Sequence, residues 1–493
     1  METPVGLRSS SVRSKKANLL FPVTISLGTI ILSGTLYFVF ESFLLAFSVG
    51  FSICLCLLPF LLYKRDPSPI APVYLTMLYL IVAYPIKLIA VRLEMANVIE
   101  DYPGLLLDNN LVTQAMGLVG LGVLAYFMGY YGPPRFLLRW ASKVRLPLSS
   151  RLDRSWPWRV LAICAIGWGV FGAQVAMKSW SSFAGLGEYW DPRTNQLLSY
   201  LWNYVWFSLI GAALWLLAKK YRYLTTGIGL CLGVIGISIG GAIFLLGSKT
   251  WLLYPFIWLF ALAYMSGRRP SPFLVMSVLC IACLFVFSFV PTYRMVYHER
   301  FGGHSGLLGD YIAAAQETLG RKTTEQTDLS LILGNFITRL GGIDNAVRVI
   351  EVVPHQIDFQ YFSDLLLLPF TIIPQAIFPN KPSSDVARLF TVEIAGMIYG
   401  GSAAPHPVGE GYFNLGWLGV PILFWIWGLY QSLLYHGFYL PRKESPLVQT
   451  LYAFYMLHSI GFGGWIIGSL LGLPGQIITL LPLIFILRGK TNK

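Results

Sequence analysis

Hydrophobic residues along this chain gather into long runs that short polar segments separate. Each run is about 17–25 residues, close to the length that an α-helix needs to cross a bilayer. The runs lie at 19–40, 43–63, 69–90, 111–132, 158–177, 197–218, 225–246, 251–267, 271–290, 412–436, 446–468 and 472–488. The pattern predicts an all-α polytopic membrane protein with about twelve transmembrane helices.

The hydrophobic runs stop between the ninth and tenth predicted spans. Residues 291–411 carry eight Lys/Arg, twelve Asp/Glu and four of the six His residues of the chain. We therefore divide the chain into spans 1–9 (1–290), a large loop (291–411) and spans 10–12 (412–493). A loop so rich in titratable groups is typical of a membrane enzyme and unusual for a transporter.

The loop has the start and stop signals of short helices, so we expect a helical subdomain that rests on the membrane. One of these helices is predicted from Asp344 to Val353, because Pro354 closes it. The apolar stretch 365–378 contains Pro369 and Pro374 and is too short to span. It is predicted to be a re-entrant or interfacial segment.

Charge placement gives an orientation. Basic residues such as Lys64, Arg268 and Arg442 fall in alternate connections, and the connections between them are short or acidic. We expect the protein to lie in the cell inner (plasma) membrane. The positive-inside rule then places both termini in the cytoplasm and the large loop on the outer side. The net charge of +13 comes from these topology-setting residues, which contact membrane lipids, and a nucleic-acid partner is not expected.

The sequence offers no metal or redox centre. All six Cys residues lie inside apolar runs, so no disulfide framework is expected in the outer loop. No His-Glu-x-x-His motif, Walker loop or outer Asp-x-Asp pair occurs. We therefore expect neither a metal nor a cofactor.

Five cations lie at or beyond the outer ends of the predicted helices and would suit a lipid-linked diphosphate. Arginine presents a planar fork that fits bidentate phosphate contact. Each of these side chains is also open to an ordinary role, such as snorkelling at the interface or pairing at the surface. The five are Lys249, Arg294, Arg300, Arg339 and Lys381.

Prolines flank His406 on both sides, and Glu410 follows at the entrance to the tenth span. A His and a carboxylate held this close could remove a proton from a sugar hydroxyl, and either could be the base. The competing interpretation is a helix N-cap with an acid near the dipole. Two other groups are expected to be ordinary: Lys87 should snorkel, and Arg348 should form a surface pair with Asp344.

The segment from Leu365 to Gly419 resembles the Wzy-type O-antigen polymerases, which join oligosaccharide repeat units. The resemblance rests on Pro379–Pro382 (PNKP) and Gly409–Gly419 (GEGYFNLGWLG), which includes Tyr412 and Asn414. It implies a GT-C-like fold and a metal-independent, inverting glycosyl transfer from undecaprenyl diphosphate. It also implies that Tyr412 and Asn414 contact the glycan, and that a chain-length regulator and a flippase are partners. The family more often has Arg where Lys249 stands.

Two other functions compete with a polymerase. An O-antigen ligase-like transferase shares the architecture and a large outer loop with Arg and His. A non-enzymatic flippase or exporter of lipid-linked sugar would need ionisable residues deep in its helices, and in this sequence nearly all charges stay at helix ends.

Overall fold

We analysed a computed structural model of the chain. It describes residues 14–61, 68–93, 106, 108–143, 308–324, 342–371, 373, 378, 389–394, 404–460 and 466–473, with scattered residues between 162 and 300. The predicted spans at 158–177, 197–218, 225–246, 251–267 and 271–290 fall almost wholly outside these residues.

The described residues are helical and contain no β-strand, which confirms the predicted all-α class. Several helices change type along their length. The helices of eight or more described residues are α1 (Ser14–Phe40), α2 (Phe43–Leu61), α3 (Pro72–Arg92), α4 (Asn109–Tyr131), α5 (Arg135–Lys143), α6 (Leu308–Thr324), α7 (Gly342–Val352), α8 (His406–Ser432, with a π-helical continuation Leu433–Tyr439), α9 (Pro446–Ser459) and α10 (466–473).

Four of the described helices are long and apolar enough to cross a membrane: α2, α3, α4 and α8 with its continuation. They correspond to the second, third, fourth and tenth predicted spans. The first predicted span is present as α1, whose segment Ile25–Phe40 is apolar. The structure therefore agrees with a polytopic membrane protein.

The core of the bundle is the contact between α4 and α8, where glycines let two helix backbones meet. A Cβ added at Gly129 would lie 2.8 Å from the Leu429 nitrogen, and one added at Gly428 would lie 3.0 Å from the Tyr130 nitrogen. Small residues at such positions allow close helix packing in membranes, where no hydrophobic force draws helices together.

A buried polar network next to this contact joins four helices. The Gln431 side chain of α8 accepts hydrogen bonds from the hydroxyls of Tyr126 and Thr76 and donates to the Ser459 carbonyl of α9 at 2.7 Å. Trp427 donates to the same carbonyl. The network satisfies the C-terminal end of α9, which would otherwise carry an unpaired carbonyl inside the bundle.

Helix α3 contains a π-helical segment, Val82–Ile86, around Pro85. Proline lacks an N–H and cannot continue regular α-helical bonding, so the helix widens there. Gly342, the first residue of α7, packs against this segment: an added Cβ would lie 2.7 Å from the Ala83 oxygen. The irregularity in α3 is therefore where the loop helix docks.

The loop helix predicted at 344–353 is present as α7, but it does not lie on top of the membrane domain. Nine of its eleven residues are buried, against the π segment of α3, α4 and α8. The apolar side chains of α7 occupy most of the helix circumference, which favours its insertion into the bundle. Helix α6, which the sequence analysis did not predict, also lies within the loop.

Two boundaries near the C-terminus differ from the predicted spans. Helix α9 ends at Ser459 instead of continuing to residue 468, and α10 covers 466–473. Residues 461–465, which include three glycines, lie between the two and outside the described residues. Helix α8 begins at His406, before the predicted start at 412.

Candidate functional site

The site is built on a reversal of the chain within α8. Leu415 and Gly416 leave helical geometry, with Gly416 at φ 58°, a conformation that favours glycine. Residues eight apart in a straight helix are about 12 Å apart. Yet a Cβ added at Gly411 would lie 2.7 Å from the Val420 Cα, and one at Gly419 would collide with the Gly411 oxygen. The segment His406–Asn414 therefore folds back against the rest of α8.

Asn414 locks this reversal to the loop. Its Oδ1 accepts from the Phe362 N–H at 2.9 Å, and its Nδ2 donates to the Glu410 carbonyl at 2.7 Å. The N–H groups of Gln360 and Tyr361 donate to the carbonyls of Phe413 and Asn414. These bonds satisfy the end of the short helix, so the Asn of the Gly409–Gly419 motif has a structural role. Its predicted contact with a glycan stays a prediction.

His406 begins the short helix with φ 57°, an uncommon conformation for a residue with a side chain. The surroundings hold it there: Tyr79 of α3 places its hydroxyl 2.5 Å from the imidazole Nδ1, and the two rings stack. Two residues later, the Val408 N–H donates to the Tyr84 hydroxyl at 3.2 Å. Two tyrosines of α3 thus fix the histidine and the helix that it starts.

Glu410 lies one turn after His406, but its carboxylate points elsewhere. It is buried, and its two oxygens accept from the backbone N–H groups of Ile466 and Ile467 at 2.6 and 2.8 Å. Glu410 thus caps the N-terminus of α10, where the helix dipole favours a negative charge. The sequence suggested an N-cap for the helix that contains Glu410, whereas in the structure Glu410 caps α10.

A buried ion pair stands beside this arrangement. Lys87 of α3 donates to the carboxylate of Asp344 of α7, and both side chains are completely buried. The prediction that Lys87 snorkels was wrong, because α7 covers it and supplies a counter-charge. The predicted pair between Asp344 and Arg348 was also wrong, because Asp344 faces α3 while Arg348 pairs with Glu351 at 2.5 Å.

Helix α7 also ties down the chain that leads into His406. Asn345 donates from Nδ2 to the Ala404 carbonyl at 2.6 Å, two residues before the histidine. Arg348 donates to the Ile394 carbonyl at 3.0 Å, and Gly409 lies against Val349 and Ala346. The loop helix, α3 and the short helix of α8 thus form one packed unit around His406.

The structure brings together only part of the predicted site. Lys249, Arg294, Arg339 and Lys381 lie outside the described residues. Arg300 is half exposed and forms an ion pair with Glu317 of α6 at 2.9 Å. Tyr412 is buried, and its ring meets Phe359 edge to face. Where the structure describes the chain, no group of three or more His, Cys, Asp or Glu side chains is placed to hold a metal ion.

Two residues of the site were not predicted from the sequence: Tyr79 as a partner of His406, and Lys87 as a buried cation. The sequence did contain a signal for Lys87, because an ionisable residue within an apolar span costs free energy and usually pairs with another polar group. For Tyr79 no sequence signal was available, because 327 positions separate it from His406.

Comparisons with known proteins give one match. Residues 192–436 match a family model described as a domain of unknown function, DUF8712. The match covers slightly less than half of the chain and includes His406, Glu410 and Asp344, but does not reach Tyr79 or Lys87. No curated protein and no solved structure matches the chain. The function proposed below therefore rests on the site itself and on the sequence resemblance.

Proposed function

We propose that this protein is a metal-independent, inverting glycosyltransferase that polymerises oligosaccharide repeat units carried on undecaprenyl diphosphate. The observation that carries the proposal is the setting of His406, which is half-buried and held by Tyr79 beside the Lys87–Asp344 pair. It lies within the segment that resembles the O-antigen polymerases. The product would be a surface polysaccharide at the outer face of the inner membrane.

In this proposal His406 is the general base. A neutral imidazole donates from one ring nitrogen and accepts at the other. If Nδ1–H donates to the Tyr79 oxygen, the lone pair of Nε2 is available to an acceptor hydroxyl. The hydroxyl oxygen attacks the anomeric carbon of the donor, its proton passes to Nε2, and the bond from that carbon to the diphosphate oxygen breaks with inversion. The leaving group is undecaprenyl diphosphate.

Glu410 is assigned a positioning role. Both of its carboxylate oxygens already accept backbone N–H groups of α10, and the side chain is buried. A general base must reach the proton that it removes. The geometry therefore favours His406 over Glu410, a choice that the sequence left open.

The diphosphate is assigned to the cations of the outer loop, because negative charge develops on it as the bond breaks. Lys249, Arg294, Arg339 and Lys381 keep this role as a proposal, together with Arg300. For Arg300 the role requires exchange of its partner Glu317 for phosphate, which is inexpensive at an exposed site.

We also propose twelve spans in a GT-C-like arrangement, with cytoplasmic termini and segment 365–378 dipping into the outer leaflet. Support comes from the four long apolar helices and from the charge pattern of the connections. Cysteine labelling at Asn380 and at Glu444 should place these residues on opposite faces of the membrane. Labelling of both from one side would refute the arrangement.

A transporter of lipid-linked sugar is the second candidate, because one specific observation favours it. The fully buried Lys87 lies in a helix that is long enough to span, and ionisable residues in such places often mark transport paths. One experiment separates the candidates. Purified protein in proteoliposomes should elongate synthetic lipid-linked repeat units without any second protein, which a transporter cannot do.

Deletion strains separate polymerase from ligase. A strain that lacks the polymerase should attach single repeat units to the final acceptor, whereas a strain that lacks the ligase should attach none. Absence of any attached unit in the deletion strain, together with no elongation in proteoliposomes, would refute the proposed polymerase.

A further inference from the structure

Helix α5 is a short amphipathic helix at one end of the bundle. It follows directly after α4, whose C-terminal cap Gly132 donates its N–H to the Met128 carbonyl at 3.0 Å. Gly437, in the π-helical continuation of α8, packs against it: an added Cβ would lie 2.6 Å from the Ala141 Cβ. Arg442 donates to the Ser142 carbonyl at 2.6 Å. The helix is thus fixed where two long apolar helices end.

Only one side of α5 faces the protein. Ala141 is buried and Leu137 and Leu138 are partly buried, and these three residues form the inner side. Phe136 and Trp140 are 69% and 67% exposed. Two large aromatic side chains one turn apart therefore point away from the bundle. Exposure of so much apolar surface to water is unfavourable.

The exposed side has two parallel stripes of different chemistry. At 100° per residue, Arg135, Arg139 and Lys143 fall within about 80° of one another, and Phe136 and Trp140 follow within the next 60°. All three basic residues are exposed, and α5 contains no acidic residue. Within the described part of the chain, no ion pair is recorded for them. A basic stripe thus adjoins an aromatic one.

This combination matches the boundary between lipid headgroups and acyl chains. Aromatic side chains favour that depth, and basic residues beside them reach phosphate groups. The position agrees, because α5 lies at the ends of α4 and α8, both long enough to cross a membrane. Charge complementarity selects anionic headgroups, since three exposed cations gain little from zwitterionic lipid.

We propose that α5 binds anionic phospholipid headgroups at the membrane surface. Phe136 and Trp140 enter the headgroup and acyl boundary, while Arg135, Arg139 and Lys143 contact the phosphates. The inference does not depend on the polymerase proposal, since it concerns the end of the bundle that carries α5 and not the His406 site. It assigns a lipid-binding site to a helix otherwise explained only as a connection.

The test uses full-length protein in nanodiscs of phosphatidylcholine with phosphatidylglycerol, released into the gas phase to count the retained anionic lipids. The test variant carries Arg135→Gln, Arg139→Gln and Lys143→Gln. The control removes three basic residues from the C-terminal segment, Arg488→Gln, Lys490→Gln and Lys493→Gln. At about 1 kcal/mol for each cation near an anionic surface, the test variant should bind phosphatidylglycerol roughly 10²-fold more weakly.

Unchanged retention in the test variant would overturn the proposal, and so would an equal loss in the control, because then only total charge matters. A second measurement needs no loss of charge. A fluorophore at Phe136→Cys should be quenched by nitroxides in the outer acyl region of the bilayer. Quenching only by a water-soluble agent would overturn the proposal and point to an acidic protein partner. Inorganic phosphate should not displace the lipid, and displacement would identify a free-anion site instead.

Discussion

The buried ion pair between Lys87 and Asp344 is the contact most open to a quantitative test. Both side chains are fully buried, so removal of one partner leaves an uncompensated charge inside the bundle. Such a loss costs about 3–5 kcal/mol in buried pairs. Insertion scales give a similar figure, about 2.5–3.5 kcal/mol for one Lys or Asp at the centre of a membrane helix. We therefore expect Lys87→Met and Asp344→Leu each to lower the free energy of unfolding by about 3 kcal/mol or more.

The double variant decides between a paired charge and two independent residues. Replacement of a buried pair by apolar groups is often neutral, so Lys87→Met/Asp344→Leu should lie within about 1–2 kcal/mol of the natural protein. The exposed pair Arg300–Glu317 is the matched control, and its Met/Leu cycle should show a coupling of about 0–1 kcal/mol. Unfolding in detergent micelles, followed by helicity, provides the free energies. Additive effects of the two single substitutions at the buried pair would refute the reasoning.

Three further predictions concern the reversal, the polar network and metal use. Gly419→Ala should lower the free energy of unfolding by about 1–3 kcal/mol, because its Cβ would collide with the Gly411 oxygen. Gly117→Ala is the control: a Cβ there meets open space, so the free energy of unfolding should be unchanged or higher. Gln431→Leu should cost about 1–3 kcal/mol, because it removes the buried acceptor of the Thr76 and Tyr126 hydroxyls, and the same unfolding assay measures it. Chelator should leave polymerisation intact, and a loss that Mg²⁺ or Mn²⁺ restores would contradict the role given to the cations.

Helix positions were predictable because apolar runs of membrane length have few alternatives. The predicted span at 111–132 is present as Asn109–Tyr131 and the one at 43–63 as Phe43–Leu61. The helix before Pro354 was predictable from its capping and stop residues and is present as Gly342–Val352. In each case the signal lies in adjacent residues, which the sequence contains directly.

The arrangement of the site was not predictable, because it depends on contacts between distant residues. The predicted span 412–436 runs through Gly416 without a break, yet the chain reverses there. The close approach of Gly411 to Gly419 is visible only in three dimensions. Lys87 was expected at the membrane–water interface, because the residues near it in sequence do not indicate that Asp344, 257 positions away, is its partner. Whether a charge can be buried depends on which residue pairs with it in the fold, and the spacing of residues in the sequence does not identify that residue.

The proposed base can be tested directly by the rate at which purified protein elongates synthetic undecaprenyl-diphosphate repeat units in proteoliposomes without other proteins. The natural protein should form polymer, and His406→Ala should slow turnover by about 10²–10⁴-fold with donor binding little changed. Tyr79→Phe should reduce turnover less, since it removes only the group that orients the imidazole, and Tyr84→Phe is the matched control on the same helix. Elongation by His406→Ala at the natural rate, with the protein folded, would contradict the account.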